Sequence, residues 1–196
     1  MRCLCRILIK PSKSPMASPI VCVLKKDKSV RLTCDFRYVN KYIVPDGFPM
    51  QNIDEVKLKV SNSNYISVLD AKSGYWQIKV REEDQWLTAF STHDSWYEWT
   101  RVPFGIKNSG AIIVRAIQMT HKQVKGIAES YVDDMEVHSG DWQTHLRDNK
   151  RYLTAIRDSG LTLNIGKCEF GQKSVKYVCH IIGSGRHDSI LNVSKL

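Results

Sequence analysis

The chain has 196 residues, of which 42% are hydrophobic, and a formal net charge of +9 at pH 7. That is enough apolar material for one sizeable core, and the basic excess favours a polyanionic partner, with nucleic acid first and an anionic membrane surface second. No apolar run approaches the roughly 18 residues of a membrane-spanning helix. The six cysteines contain no Cys-x-x-Cys pair, so no zinc site is expected and a reducing intracellular setting fits best.

The first predicted structure is a basic β-hairpin over residues 20–37. It follows residues 11–19, whose three prolines exclude a helix. The hairpin carries five Lys or Arg residues against two Asp. It is therefore either a solvated charged face or a finger that binds phosphates. Arg31 is the more specific candidate for phosphate binding, because a guanidinium binds phosphate oxygens in a bidentate way.

A second strand is predicted over Tyr65–Asp70, after a short helix that Asn52 would cap. The run is almost continuously apolar, which indicates a strand buried on both faces. It ends in a carboxylate, and such an Asp is either a metal ligand at the edge of a core or an ordinary turn or cap residue.

A helix is predicted over about 111–124, after further β-rich sequence. Arg115 and Lys122 belong to a basic stripe on one face of this helix. The stripe could lie along a nucleic-acid backbone, and a plain solvated face explains it equally well.

Paired carboxylates follow the next apolar segment. The pattern predicts a strand, a turn and a strand, with Asp133 and Asp134 at the tip. Adjacent carboxylates repel each other, and Mg²⁺, which prefers oxygen ligands, relieves that repulsion. An isolated Asp-Asp pair is most often an ordinary polar hairpin tip.

The chain then predicts a helix from Asp141 to about Asp158, followed by short strands. We expect its inner face to contain Trp142, Leu146, Leu153 and Ile156.

Asp70 and Asp133 each end an apolar strand. If these strands are neighbours in an antiparallel sheet, their carboxylates and that of Asp134 meet at one edge and could share two Mg²⁺ ions. Two such ions suit in-line phosphoryl or nucleotidyl transfer. The residues alone therefore predict a metal-dependent phosphoryl-transfer or nuclease site on a basic protein.

Several stretches together resemble reverse transcriptases, most closely those of the Ty3/gypsy class of long-terminal-repeat retrotransposons. The resemblance covers roughly residues 11–183, in the family's order and spacing. The matching pieces are Pro11–Pro19, Lys25–Asp27, Arg31–Asn40, Leu69–Ile78, Thr88–Phe90, Tyr97–Trp99, Val102–Asn108, Tyr131–Asp134, Gly160–Asn164 and Lys167–Phe170.

The resemblance implies an α+β fold, a right-hand polymerase with fingers, a palm built on an antiparallel sheet with packed helices, and a thumb that is missing or only begun. Residues 1–10 are unmatched, and 11–64 would form the fingers. The palm would take 65–183, with a remaining fingers segment near 80–110. Residues 184–196 would be the truncated start of a thumb or a tail.

The resemblance also implies RNA-directed DNA polymerase activity, in which two Mg²⁺ ions, or Mn²⁺ as substitute, support the addition of dNTPs to a primer on an RNA or DNA template. Asp70, Asp133 and Asp134 would be catalytic and would bind the metals with the Ala71 carbonyl. Tyr75 would exclude a 2′-hydroxyl, Phe104 would line the nucleotide pocket, and Lys25 and Arg31 would contact the triphosphate. Nucleic-acid contacts are assigned to Tyr131, Arg115 and Lys122.

The resemblance implies further partners, namely downstream RNase H and integrase parts of a polyprotein, and an intracellular location in a cytoplasmic particle rather than at a membrane. The sequence also departs from the family, with Ser109-Gly110 where Ala-Pro is usual and Glu136 where an apolar residue is usual. A second hypothesis is therefore a truncated, inactive remnant that at most binds nucleic acid. A two-metal nuclease is disfavoured by Tyr75 and the finger motifs.

Overall fold

The computed structural model describes residues 8–24, 30–49, 51–177, 180–183 and 186–189. The chain forms two compact units: unit 1 contains Met1–Gly47 and Ser73–Ile112, and unit 2 contains Phe48–Lys72 and Ile113–Leu196. Helices and mainly antiparallel sheets occur together, as the α+β prediction requires. The predicted bounds of fingers and palm stay a prediction.

Unit 1 is built on a five-stranded sheet whose order is β1-β6-β5-β2-β3. Its core contains Cys34, Phe36, Val39, Phe90 and Trp99. The predicted hairpin is present, because β2 and β3 pair antiparallel from Ile20 opposite Cys34 to Leu24 opposite Val30. The strands are β1 (Ile9–Pro11), β2 (Ser18–Leu24), β3 (Val30–Cys34), β5 (Phe90–Ser91) and β6 (Trp96–Trp99).

The remaining elements of unit 1 are a short helix α1 (Arg37–Asn40) and two 3-10 segments, Gly74–Gln77 and Glu82–Thr88. The Asn40 amide donates to the carbonyl of Gly105 at 2.8 Å and accepts from the Lys107 backbone at 2.8 Å. These bonds hold the loop before residue 109 against the end of α1.

Unit 2 contains a four-stranded antiparallel sheet in the order β7-β8-β4-β9. A second sheet has three strands in the order β10-β11-β12. The strands are β4 (Tyr65–Asp70), β7 (Ala128–Tyr131), β8 (Asp134–Ser139), β9 (Glu169–Gln172), β10 (Val175–Tyr177), β11 (His180–Gly183) and β12 (Arg186–Ser189).

Three longer helices are α2 (Ile53–Ser61), α3 (Ser109–His121) and α4 (Trp142–Asp158). The predicted caps of α2 and α4 are present, because the side chains of Asn52 and Asp141 each accept a backbone N–H at 2.9 Å. A 3-10 turn, Lys122–Val124, follows α3. In the described ranges, no helix has the length and apolar character needed to cross a membrane.

The predicted inner face of α4 is wrong for three of its four residues. Ile156 is buried, but Trp142, Leu146 and Leu153 are 44%, 48% and 37% exposed. His145 and Asp148 face inward instead, where they hydrogen-bond to serines of the sheet, and the buried Tyr152 pairs with His121. The buried residues of α4 are His145, Asp148, Tyr152, Ala155 and Ile156.

Candidate active site

The two strands that end in carboxylates lie side by side. β4 and β8 pair antiparallel from Tyr65 opposite Ser139 to Asp70 opposite Asp134. Directly opposed residues of such a pair have Cα atoms about 4.5–5.5 Å apart. The structure therefore brings Asp70 and Asp134 together at one end of the sheet, as the sequence predicted for neighbouring strands.

The hairpin tip differs from the prediction by one residue. Tyr131 pairs with Asp134, which leaves Val132 and Asp133 as the turn and makes Asp134 the first residue of β8. Val132 has a φ of 59°, an unfavourable backbone conformation for a β-branched residue, of order 1–3 kcal/mol. Asp133 is exposed at the tip, whereas Asp134 is half-buried within the sheet.

Asp134 lies in an environment that disfavours its charged form. Burial raises the pKa of Asp134, and the neighbouring charges of Asp133 and then Asp70 raise it further, while Lys167 opposes them. The Lys167 ammonium lies 3.3 Å from Oδ2 of Asp70. Bound positive charge at this edge would relieve the repulsion among the carboxylates.

The donor set fits a hard divalent cation, because every candidate ligand is an oxygen. The segment next to Asp70 is fixed by two backbone bonds: the Asn164 N–H donates to the Asp70 carbonyl and the Lys72 N–H donates to the Thr162 carbonyl, both at 2.9 Å. Neither bond uses the Ala71 carbonyl. Across the described residues, however, no three His, Cys, Asp or Glu side chains already converge as a ligand set. The carboxylates would have to turn toward an ion.

Lys167 is a site residue that the sequence interpretation did not assign. It ends the 3-10 turn Ile165–Lys167, which follows the backbone contact between Asn164 and Asp70. The match of Lys167–Phe170 to a motif of the family is the sequence signal that could have identified Lys167. Nothing in the spacing shows that a lysine 97 residues later reaches Asp70.

Two residues predicted to bind nucleotide lie in contact within unit 1. The rings of Tyr75 and Phe104 have centroids 5.1 Å apart in an edge-to-face arrangement, and Trp76 lies 5.7 Å from the same Phe104 ring. Arg31 lies in β3 opposite Val23. Its side chain, and the whole of Lys25, lie outside the described residues, so their roles remain predictions.

The predicted nucleic-acid contacts are dispersed over unit 2. Tyr131 packs against the apolar cluster around Val56 and Ile66. The Arg115 guanidinium lies 4.6 Å from the centroid of the Phe48 ring. Lys122 follows the end of α3, so the predicted stripe is not one continuous helical face. The three roles stay predictions.

Glu136 lies on the same face of β8 as Asp134, two residues further into the sheet. It is 1% exposed, and neither carboxyl oxygen has a hydrogen-bond partner in the described part of the chain. Burial raises the pKa of Glu136 to about 8. The Tyr177 hydroxyl is close enough to oppose this increase, yet it does not reach ordinary hydrogen-bond geometry. Glu136 therefore faces the interior rather than solvent.

Comparison with known proteins matches this chain to a reverse transcriptase family model and to retrovirus-related Pol polyproteins. The sequence model of the family described as reverse transcriptase (RNA-dependent DNA polymerase) matches residues 23–182. The retrovirus-related Pol polyproteins of the Drosophila melanogaster transposons opus and gypsy are each 34% identical, over 181 and 182 residues. Each match covers 89% of this chain and 18% of the polyprotein.

The fold also matches a solved structure, the foamy viral protease-reverse transcriptase in complex with double-stranded DNA. The TM-score is 0.87 and the identity is 25%. The match covers 94% of this chain and 32% of the viral chain. The present chain thus spans about a fifth of the curated polyproteins and a third of the viral structure.

Proposed function

We propose that this chain, which belongs to the reverse transcriptase (RNA-dependent DNA polymerase) family, provides a nucleotidyl-transfer centre that adds dNTPs to a primer on an RNA or DNA template. The predicted family and the predicted fold class are confirmed by the matches to Pol polyproteins and to a reverse transcriptase structure. The observation that carries the proposal is the register of β4 and β8, which places Asp70 opposite Asp134.

Each site residue has a proposed part. Asp70, Asp133, Asp134 and the Ala71 carbonyl would hold two Mg²⁺ ions, or Mn²⁺ in their place. These ions, when bound, activate the attacking hydroxyl and stabilise the leaving pyrophosphate. Tyr75 would exclude a 2′-hydroxyl, and Phe104 would line the nucleotide pocket.

The basic finger and the wider assembly complete the proposal. Arg31 and Lys25 would neutralise the incoming triphosphate, because charge-assisted bonds to phosphate are strong. Tyr131, Arg115 and Lys122 would contact template or primer. RNase H and integrase parts of a polyprotein are proposed partners, and a cytoplasmic particle is the proposed location.

The test is primer extension on an RNA template with Mg²⁺ or Mn²⁺. We expect incorporation by the wild-type chain and loss of at least a hundredfold in Asp133→Asn, because removal of a charged metal ligand disrupts the centre. Asp54→Asn is the matched control, since Asp54 is an exposed carboxylate of α2 in the same unit. Equal activity in both variants would sink the proposal.

One observation favours a second candidate, a chain that binds nucleic acid without polymerising. Glu136 is a buried carboxyl two residues from Asp134 on the same face of β8, and it has no hydrogen-bond partner among the described residues, which reduces the stability of the strand that carries Asp134. A folded chain that shifts a primer-template in a binding assay but incorporates no nucleotide with either metal would support this candidate. Incorporation that Asp133→Asn abolishes would reject it.

A further inference from the structure

A shallow basic groove lies on unit 2 between the 3-10 turn Lys122–Val124 and the outer side of α4. Its volume is about 360 Å³. Three cations and one carboxylate line it. The lining residues are Gln123, Val124, Arg147, Lys150, Arg151, Thr154, Ala155 and Asp158.

The cations of this groove form one helical stripe. Lys150 and Arg151 lie three and four residues after Arg147, so both neighbour it on the same side of α4, and all three are exposed. The stripe continues to Thr154 and Asp158, so it is about 16 Å long at 1.5 Å per residue. Lys122 and Lys125 flank the lining residues Gln123 and Val124 in the sequence, and both are also exposed.

The carboxylates nearby only partly offset this charge. Asp158 accepts a hydrogen bond from the Arg157 side chain at 3.0 Å, which neutralises it locally. Asp148 lies 3.9 Å from Arg151, but it is buried and also accepts from Ser139. Lys150 forms no ion pair among the described residues. The groove is therefore a positively charged concave surface.

The groove is separate from the carboxylates. α4 packs on the face of the sheet that carries Ser67 and Ser139, because His145 contacts both serine hydroxyls, at 2.8 and 3.3 Å. Side chains alternate along a strand, so Asp70 and Asp134 point to the opposite face. A strand bound in the groove would not occupy the nucleotidyl-transfer centre.

We propose that this groove is a second nucleic-acid site, which binds the phosphates of a single strand without reading its bases. Among the described residues, the lining includes no aromatic ring for base stacking, so recognition would be electrostatic and independent of sequence. Its two apolar lining residues, Val124 and Ala155, are buried, and the exposed Trp142, Leu146 and Leu153 of α4 do not line it. The groove itself therefore offers little apolar side chain to insert into a lipid surface, which favours nucleic acid over lipid. Because the groove runs beside a single helix, it would bind the phosphate backbone of one strand. This inference goes beyond the proposed polymerase activity and does not depend on it.

The test measures binding of a fluorescently labelled single-stranded DNA to the full chain across a range of salt, without nucleotides or metal. Arg147→Glu/Lys150→Glu should lower the slope of log affinity against log salt by about 1.4, since each phosphate contact on a single strand contributes about 0.7. Arg147→Gln/Lys150→Gln should act in the same direction and introduces no new charge. Oligonucleotide should also protect α4 from hydrogen exchange in the wild type.

Lys79→Glu/Lys176→Glu is the matched control, because it changes the net charge equally at two exposed lysines outside the groove. An equal decrease of the slope of log affinity against log salt in both charge-reversal variants would overturn the proposal, since it would show that only net charge matters. Binding to phosphatidylserine vesicles that depends on the groove, with oligonucleotide binding unchanged, would also overturn it. Because neither readout needs catalysis, an inactive wild-type chain would reject the polymerase proposal alone.

Discussion

At the scale of single residues, Glu136 and Glu129 contrast although they face each other across β7 and β8. Glu129 accepts from Lys59 at 2.7 Å and from Gln51 at 3.2 Å. Glu136 has no such partner among the described residues. A buried polar group without a hydrogen bond is unfavourable by about 1–3 kcal/mol. Glu136 therefore reduces the stability of unit 2.

We expect Glu136→Leu to raise the free energy of unfolding at neutral pH by about 1–3 kcal/mol, because it removes the unpartnered carboxyl from the interior. Urea denaturation measures the change. Glu129→Leu is the comparison, since it removes a carboxylate that accepts from Lys59 and Gln51, so it should raise the free energy of unfolding less than Glu136→Leu or lower it. Destabilisation by Glu136→Leu would show that this carboxyl has a favourable role.

At the scale of elements, the start of α3 contains a glycine that lowers the stability of the helix. Gly110 is the second residue of the helix, and a Cβ built there has nothing within 4 Å. We expect Gly110→Ala to raise the free energy of unfolding by about 0.5–1 kcal/mol, because glycine loses more backbone freedom than alanine on folding. Thermal melting measures the increase.

Gly126 is a matched control for that substitution. A Cβ there also has open space, but the φ of Gly126 is +81°, a conformation that favours glycine. Gly126→Ala should therefore lower the melting temperature. The same sign for both substitutions would contradict the assignment of Gly110 to a regular helical backbone.

The end of α3 is joined to α4 by a half-buried histidine. Nε2 of His121 lies 2.6 Å from the Tyr152 hydroxyl, and burial lowers the pKa of His121 to about 4. The native state then binds fewer protons than the unfolded state between pH 4 and 6.5. The stability from this group is complete above pH 6.5 and is lost as the pH falls to 4.

We expect this loss to reach up to about 3 kcal/mol, the equivalent of two to three pKa units. Urea denaturation at a series of pH values measures it. His121→Phe should reduce the slope of the free energy of unfolding against pH. His93→Asn should leave that slope unchanged, because His93 is exposed. The slope would not vanish, because burial also lowers the pKa of His138 and His145. An unchanged dependence of the free energy of unfolding on pH in His121→Phe would contradict the lowered pKa of His121.

At the scale of the whole molecule, the sequence was sufficient for the family and for two apolar strands that adjoin carboxylates, Asp70 on one and Asp133-Asp134 on the other, because local pattern identifies such strands. It predicted that the carboxylates meet only on the condition that these strands are neighbours, and the structure shows that they pair. The inward face of α4 could not be predicted, because apolar periodicity does not reveal that His145 bonds to Ser67 and Ser139. The contact of Lys167 with Asp70 also depends on tertiary structure alone.

The last prediction couples the carboxylates to the stability of the whole chain. A divalent ion that binds only the native state stabilises it by RT ln(1 + [L]/Kd), which is about 1.4 kcal/mol at ten times the dissociation constant. For a chain of this size we expect Mn²⁺ to raise the melting temperature by roughly 3–5 °C. Chelation should reverse the increase.

Asp134→Asn should have two effects of opposite sign. Without metal it should melt above the wild type, because it removes a half-buried charge that Asp133 and Asp70 repel. With Mn²⁺ it should lose the increase, because it removes a ligand, while Asp54→Asn should keep it. A variant that gains as much from Mn²⁺ as the wild type would place the ion elsewhere. A variant that melts lower without metal would show that Asp134 stabilises the hairpin through contacts other than charge.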